Sequence, residues 1–218
     1  MTIVNWNKID TVMLDMDGTL LDLHYDTYFW TNHLPQRYAE LKQIPETEAR
    51  HRLNTHIRSL KGTLNWYCLD YWATELDINI LTLKREIKER PYTKEFLQFL
   101  QVQKKQVVLV TNAHPVGLNI KLGETCIGDY LDHIISSHQF SEPKEAQAFW
   151  HHLRNHFPFN SQRTLFIDDN LTILESAKAY GIAYILGIHQ PDSQIERQLE
   201  GIPAIYHFNE IMPDKAID

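Results

Sequence analysis

Several features are scarce or missing in this sequence of 218 residues, and each absence excludes something. Only two cysteines occur, Cys68 and Cys126. A chain this long does not depend on one possible disulfide for stability, and sparse cysteine fits a reducing cytoplasm. The start, MTIVNWNKID, has no basic segment leading into an apolar stretch, so it does not read as a secretory signal. No run approaches the ~20 apolar residues needed to span a bilayer, so no membrane partner is expected. Basic clusters are also absent. The 21 Lys and Arg are scattered among 28 Asp and Glu, for a formal net charge of −7. A nucleic-acid polymer would need a concentrated positive face. Finally, none of the twelve histidines stands in an HExxH or CxxC-type zinc spacing.

What is present is an ordinary globular composition, 43% hydrophobic, long enough for one large domain or a domain carrying an insertion. Ile9 to Leu14 reads as a short buried strand that ends at Asp15, with Gly18 as a turn residue. From about Tyr25 to Arg90 the pattern is helical, in stretches near 26–42, 46–60, 64–76 and 79–90, punctuated by Pro35, Pro45, Gly62 and Pro91. Beyond Pro91 helices alternate with short apolar strands. Helices are expected over Tyr92–Gln103, Val116–Glu124, Lys144–Asn155 and Leu171–Tyr180. Strands are expected over Val107–Val110, Ile134–Ser136, Leu165–Ile167 and Ala183–Ile188, the last of them, while 201–218 reads as a loop and short helix. This predicts an α/β fold with a parallel, Rossmann-like sheet. The first strand would belong to that sheet, with residues 1–22 and 91–218 forming the core and 23–90 an inserted helical unit.

Four features follow predicted strands, where open α/β sheets bind ligands. They are Asp15 and Asp17 in DMDGTL, Thr111 and Asn112 after the second strand, Lys144 in EPK, and the pair Asp168 and Asp169. Carboxylates brought together from two strands repel and raise one another's pKa, and a hard divalent cation such as Mg²⁺ relieves this. The Thr111 hydroxyl and Lys144 ammonium suit phosphate oxygens. Taken singly, each has a plainer reading: Thr111 capping a helix, Lys144 a solvated helix-start lysine, Asp168 and Asp169 N-caps. Their joint order favours phosphoryl transfer, in which positioning and charge neutralisation carry catalysis.

DMDGTLLD, LVTN, EPK and LFIDDN resemble the four motifs of the haloacid dehalogenase superfamily of phosphohydrolases. The resemblance implies Asp15 as nucleophile, Asp17 as general acid and base, and Thr111, Asn112 and Lys144 as phosphate binders. It implies Mg²⁺ held by Asp15, the main-chain carbonyl of Asp17, Asp168 and Asp169, and a C1 cap between the first two motifs. One departure is Ile173, where many relatives carry an acid. TLLDLHYDTYFW, TLNWYCLDYW and VTNAHP are similar to the bacterial GMP/IMP nucleotidase branch. That implies a small-molecule phosphate ester, a purine nucleotide, as substrate, in a monomer or weak homodimer. Within LNWYCLDYW, Trp66, Tyr67, Tyr71 and Trp72 are expected to read the substrate, with Tyr67 and Tyr71 on one helical face; packing within the cap is the alternative. A sugar-phosphate or phosphoglycolate phosphatase or mutase, and a catalytically inactive binding protein, are the other readings.

Overall fold

In a computed structural model of the chain, residues 3–77 and 89–213 are described. Among them, six strands form one parallel sheet in the order β3-β2-β1-β4-β5-β6. The strands are β1 (Thr11–Leu14), β2 (Gln106–Thr111), β3 (His133–Ser136), β4 (Thr164–Asp168), β5 (Tyr184–Ile188) and β6 (Ala204–Ile205). Both faces are covered, so the strands read as continuous apolar runs. Alternation still sorts the side chains. Val12, Leu14, Val107, Leu109, Leu165 and Ile167 enter one core cluster. Met13, Val108, Val110 and Phe166 enter the other.

Helices α6 (Thr93–Val102) and α7 (Pro115–Glu124) supply Phe96, Leu97, Leu100 and Leu118 to the first cluster. Helices α8 (Gln147–His156) and α9 (Leu171–Tyr180) supply Phe149, Trp150, Leu153, Ile173 and Leu174 to the second. The crossover helices are what permit parallel pairing. The expected α/β sheet is therefore present, with one correction. β5 is not the last strand, because Ala204 pairs with Gly187 and Ile205 with Ile188. Two residues are too few to show a strand's alternation in sequence.

Between β1 and α6 lie α1 (His24–Tyr28), α2 (Leu34–Lys42), α3 (Glu46–Leu60), α4 (Leu64–Tyr67) and α5 (Leu69–Leu76). They enclose a third cluster of Phe29, Leu34, Leu53, Leu69, Trp72 and Leu76. A π-helical stretch, Phe29–His33, joins α1 to α2. The expected helix over 79–90 lies outside the described residues, apart from its last two. The single helix expected over 64–76 is broken. Cys68 is extended (φ −83°, ψ 107°), and its sulfur accepts the Tyr71 N–H to cap α5. Tyr67 and Tyr71 consequently lie on separate helices and share no face.

Register places the site. Leu14 pairs with Leu109 on one side and Ile167 on the other. The residues that follow, Asp15, Val110 and Asp168, therefore emerge level at the carboxyl edge. Strand order reverses about β1, which is where a crevice opens outside the strand ends.

Candidate active site

Asp15 continues β1 through its N–H, which donates to the Ile167 carbonyl at 3.0 Å. A tight turn follows, in which the Met16 carbonyl accepts the N–H groups of Leu20 (3.0 Å) and Leu21 (2.9 Å). Gly18 is required there twice over. Its φ is +87°, and a Cβ would lie 2.9 Å from both the Asp169 Cγ and the Pro191 Cβ. The turn thereby lets the first motif sit directly against the carboxylates arriving from β4.

Lys144 precedes α8 and is buried, with 1% of its side chain exposed, which excludes a solvated helix-start lysine. Its Nζ donates to Asp15 Oδ1 at 2.5 Å, Asp168 Oδ2 at 2.7 Å and the Val110 carbonyl at 3.0 Å. Burial opposes its charge, but Asp15 and Asp168 outweigh burial and hold its pKa above the usual value. The carboxylate pKa values rise as well, which for an acid favours the neutral form. Burial raises Asp15 most, with Asp168 and Asp17 adding to the shift against Lys144. Burial likewise raises Asp168. Asp169 is pushed up to about 7, by burial and then by Asp15, with Arg197 opposing. Oxygens of Asp15, Asp168 and Asp169 all lie within 4.8 Å of one another. One buried ammonium does not balance two buried carboxylates with the half-buried Asp169 beside them, whose partly exposed partner Arg197 lies 3.5 Å away, and an oxygen-ligated divalent cation fits this donor set. Neither Asp168 nor Asp169 caps α9. Asn170 does, accepting the Thr172 N–H at 3.0 Å.

Thr111 ends β2, and its hydroxyl accepts the Ala113 N–H at 3.0 Å, which shapes the loop after the strand. The Asn112 side chain organises its neighbours. Its Oδ1 accepts the Lys144 N–H at 3.0 Å, and its Nδ2 donates to Glu145 Oε2 at 3.0 Å. The other Glu145 oxygen accepts from the Tyr67 hydroxyl at 2.8 Å. Burial and then the Glu145 charge raise the Tyr67 pKa, keeping the hydroxyl a donor.

Lys121, on α7, carries no motif and is not an expected site residue. It is buried, donating to Asp17 Oδ1 and, at 2.6 Å, to Asp26 Oδ2. Burial disfavours its charge, but the two carboxylates outweigh this and raise its pKa. A faint signal exists in the sequence: Leu118, Lys121 and Leu122 recur at i, i+3 and i+4, so the lysine lies on the apolar stripe.

A cavity of about 540 Å³ opens above these groups, lined from the helical side by Trp30, Lys61, Trp66, Tyr67 and Leu69. Of the four aromatic residues expected to read the substrate, Trp66 and Tyr67 line it. Tyr71 instead meets the His56 Nε2 at 2.8 Å. Trp72 is buried in the helical cluster, 5.4 Å from the Trp30 ring, and its Nε1 donates to the Trp66 carbonyl at 2.9 Å.

The chain resembles known proteins along most of its length. It is 40% identical over 215 residues to the GMP/IMP nucleotidase YrfG of Escherichia coli strain K12, an alignment covering 96% of this chain and 97% of that one. It is 26% identical to a phosphoglycolate phosphatase of Nitrosococcus oceani, covering 88% and 94%. A solved HAD phosphatase from Thermococcus onnurineus superposes with a TM-score of 0.71 at 19% identity, covering 83% and 86%. The model of the haloacid dehalogenase-like hydrolases matches residues 9–181, and the chain belongs to that family.

Proposed function

We propose that this protein is a Mg²⁺-dependent phosphatase acting on purine nucleoside 5′-monophosphates through an aspartyl-phosphate on Asp15. The observation that carries the reading is the pairing of a buried Asp15 carboxylate with Lys144 at 2.5 Å, on the crevice at the sheet's switch point. Asp15 Oδ attacks phosphorus and the bond to the ester oxygen breaks. Asp17 passes its proton to that oxygen, and the nucleoside departs. Water then attacks the aspartyl-phosphate and gives its proton to Asp17; phosphate leaves and both carboxyl groups are restored. Lys144 and Thr111 steady the phosphate oxygens, Asn112 holds Lys144 in place, and Lys121 holds Asp17. Asp15, the main-chain carbonyl of Asp17, Asp168 and Asp169 are the groups that would hold the cation. When bound, it supplies positive charge to the transferring phosphoryl group.

Residues 1–22 and 91–218 act in this reading as the catalytic core, and 23–90 as a cap that covers the phosphate site and selects the ester. The 40% identity to a GMP/IMP nucleotidase supports a purine substrate. So does the cavity, since about 540 Å³ bordered by Trp30 and Trp66 exceeds the needs of phosphoglycolate. A phosphate-release panel of nucleoside monophosphates, sugar phosphates and phosphoglycolate, run with Mg²⁺ and with EDTA, tests this. Inosine and guanosine monophosphates should give the highest kcat/KM, and EDTA should abolish release. A preference for phosphoglycolate or a sugar phosphate would overturn the substrate reading.

A further inference from the structure

A second cluster of metal-ligating side chains stands apart from the carboxylates. Cys68, His114 and His138 come from three places: the break between α4 and α5, the loop after β2, and the turn after β3. All three are half-buried, and one donor atom from each lies within 4.8 Å of the others. The imidazoles meet edge to face, centroids 5.0 Å apart at 89°.

The hydrogen bonding of the two rings is what distinguishes the cluster. On His114, Nε2 lies 3.3 Å from the Asp70 carboxylate, while Nδ1 is buried and has no partner. On His138, the ring is bonded to the Asn112 backbone, while Nε2 is buried and has no partner. Each imidazole thus has one nitrogen fixed by an outer oxygen acceptor and the other left over inside the protein. A carboxylate or carbonyl behind the ring, with the far nitrogen offering a lone pair, is how metal-bound histidines are oriented. Burying two unsatisfied ring nitrogens otherwise carries a desolvation penalty with no return. Cys68 adds a sulfur that already accepts the Tyr71 N–H at 3.4 Å.

We propose that Cys68, His114 and His138 form a zinc site, separate from the carboxylate site, that fastens the α4–α5 segment to the core. Two imidazoles and one thiolate match the ligand preference of Zn²⁺ and not that of Mg²⁺. Zinc–nitrogen and zinc–sulfur lengths place tetrahedral donors roughly 3.3–3.6 Å apart, so donors within 4.8 Å of one another need to close by about 1.5 Å at most. Binding releases the thiol proton, leaves both histidines neutral, and keeps a fourth position for water. The cluster joins the two sides where they already touch, since a Cβ on Gly117 of α7 would lie 3.1 Å from the Leu69 Cδ1. Zinc there ties the segment carrying Trp66 and Tyr67 to the loop carrying Asn112.

The test is a Co²⁺ titration of the full chain in saturating Mg²⁺, followed by Zn²⁺ competition against a chromophoric chelator. The expected result is a near-ultraviolet thiolate-to-cobalt band saturating at one equivalent, bleached by Zn²⁺. Cys68→Ser should lose the band, and His138→Gln should weaken Zn²⁺ binding about tenfold or more. Asp169→Asn, which alters only the carboxylate site, should keep both band and affinity. Zinc should also raise the melting temperature of the wild type. Absence of the band in the wild type, or its persistence in folded Cys68→Ser through Cys126, overturns the site. Should Cys68→Ser fail to fold, an undiminished Zn²⁺ affinity in His138→Gln overturns it instead.

Discussion

The hydroxyl of Tyr67 lies 2.8 Å from Oε1 of Glu145, and this bond joins the helices between β1 and α6 to the residue that follows Lys144. Glu145 is held in turn by Asn112, and Asn112 receives the Lys144 N–H. The path from those helices to the lysine on Asp15 is thus three hydrogen bonds long. Tyr67→Phe removes the first and leaves a half-buried carboxylate oxygen without its donor. A loss of about 1–2 kcal/mol is expected, or roughly tenfold in kcat/KM for purine monophosphates. Steady-state kinetics check it; unchanged kcat/KM would mean that the contact does not support turnover.

Lys121 is predicted to act through Asp17, which it holds together with Asp26. Lys121→Met should lower kcat on a nucleoside monophosphate by about a hundredfold, in the range of lost acid–base catalysis. Nitrophenyl phosphate, whose leaving group needs no proton, should lose much less. Equal losses on the two substrates would assign Lys121 to folding alone.

Trp66 lines the cavity and is predicted to stack on the purine of the proposed substrate. Trp66→Ala should raise KM for inosine monophosphate by roughly tenfold, as aromatic–base stacking is worth about 1–3 kcal/mol. Nitrophenyl phosphate hydrolysis should be nearly unchanged. Trp72→Ala, by contrast, removes a buried ring and should destabilise the fold by about 3–5 kcal/mol. Chemical denaturation and the two kinetic assays together separate these outcomes.

The carboxylate cluster makes a prediction about pH. Asp169 titrates near 3.8 when unfolded and near 7 in the folded chain without a cation. Between those values the folded state holds the extra proton. Its contribution to stability is full at low pH and is lost as pH rises through about 7. In EDTA, the wild type should therefore lose melting temperature relative to Asp169→Asn between about pH 5 and pH 8. Mg²⁺ should narrow that difference, because it favours the ionised carboxylates. A wild type that gains on Asp169→Asn as pH rises in EDTA would contradict the assignment.

The core was legible because its signals are local. An apolar strand ending in DMDGT, and IDD ending another, place Asp15 and Asp168 at strand ends whatever the remainder of the chain does. Register then brings them level. Lys121 and Glu145 were not legible, since their partners lie 104 and 78 residues away. Only the folded arrangement of α7 against the first motif and of α4 against Glu145 creates those contacts. The helix break at Cys68 was missed for a related reason. LNWYCLDYW has uninterrupted helical composition, and the break is imposed when Tyr67 docks on Glu145 while Trp72 enters the helical cluster. β6 exists only as pairing to β5.

The central claim is the covalent intermediate on Asp15. An acid-quenched single turnover with radiophosphate-labelled inosine monophosphate tests it most directly. The account predicts transient label on the peptide that carries Asp15 in the wild type, and neither label nor nucleoside release in folded Asp15→Asn. Turnover by Asp15→Asn at a near-normal rate, or label on a different peptide, would contradict it.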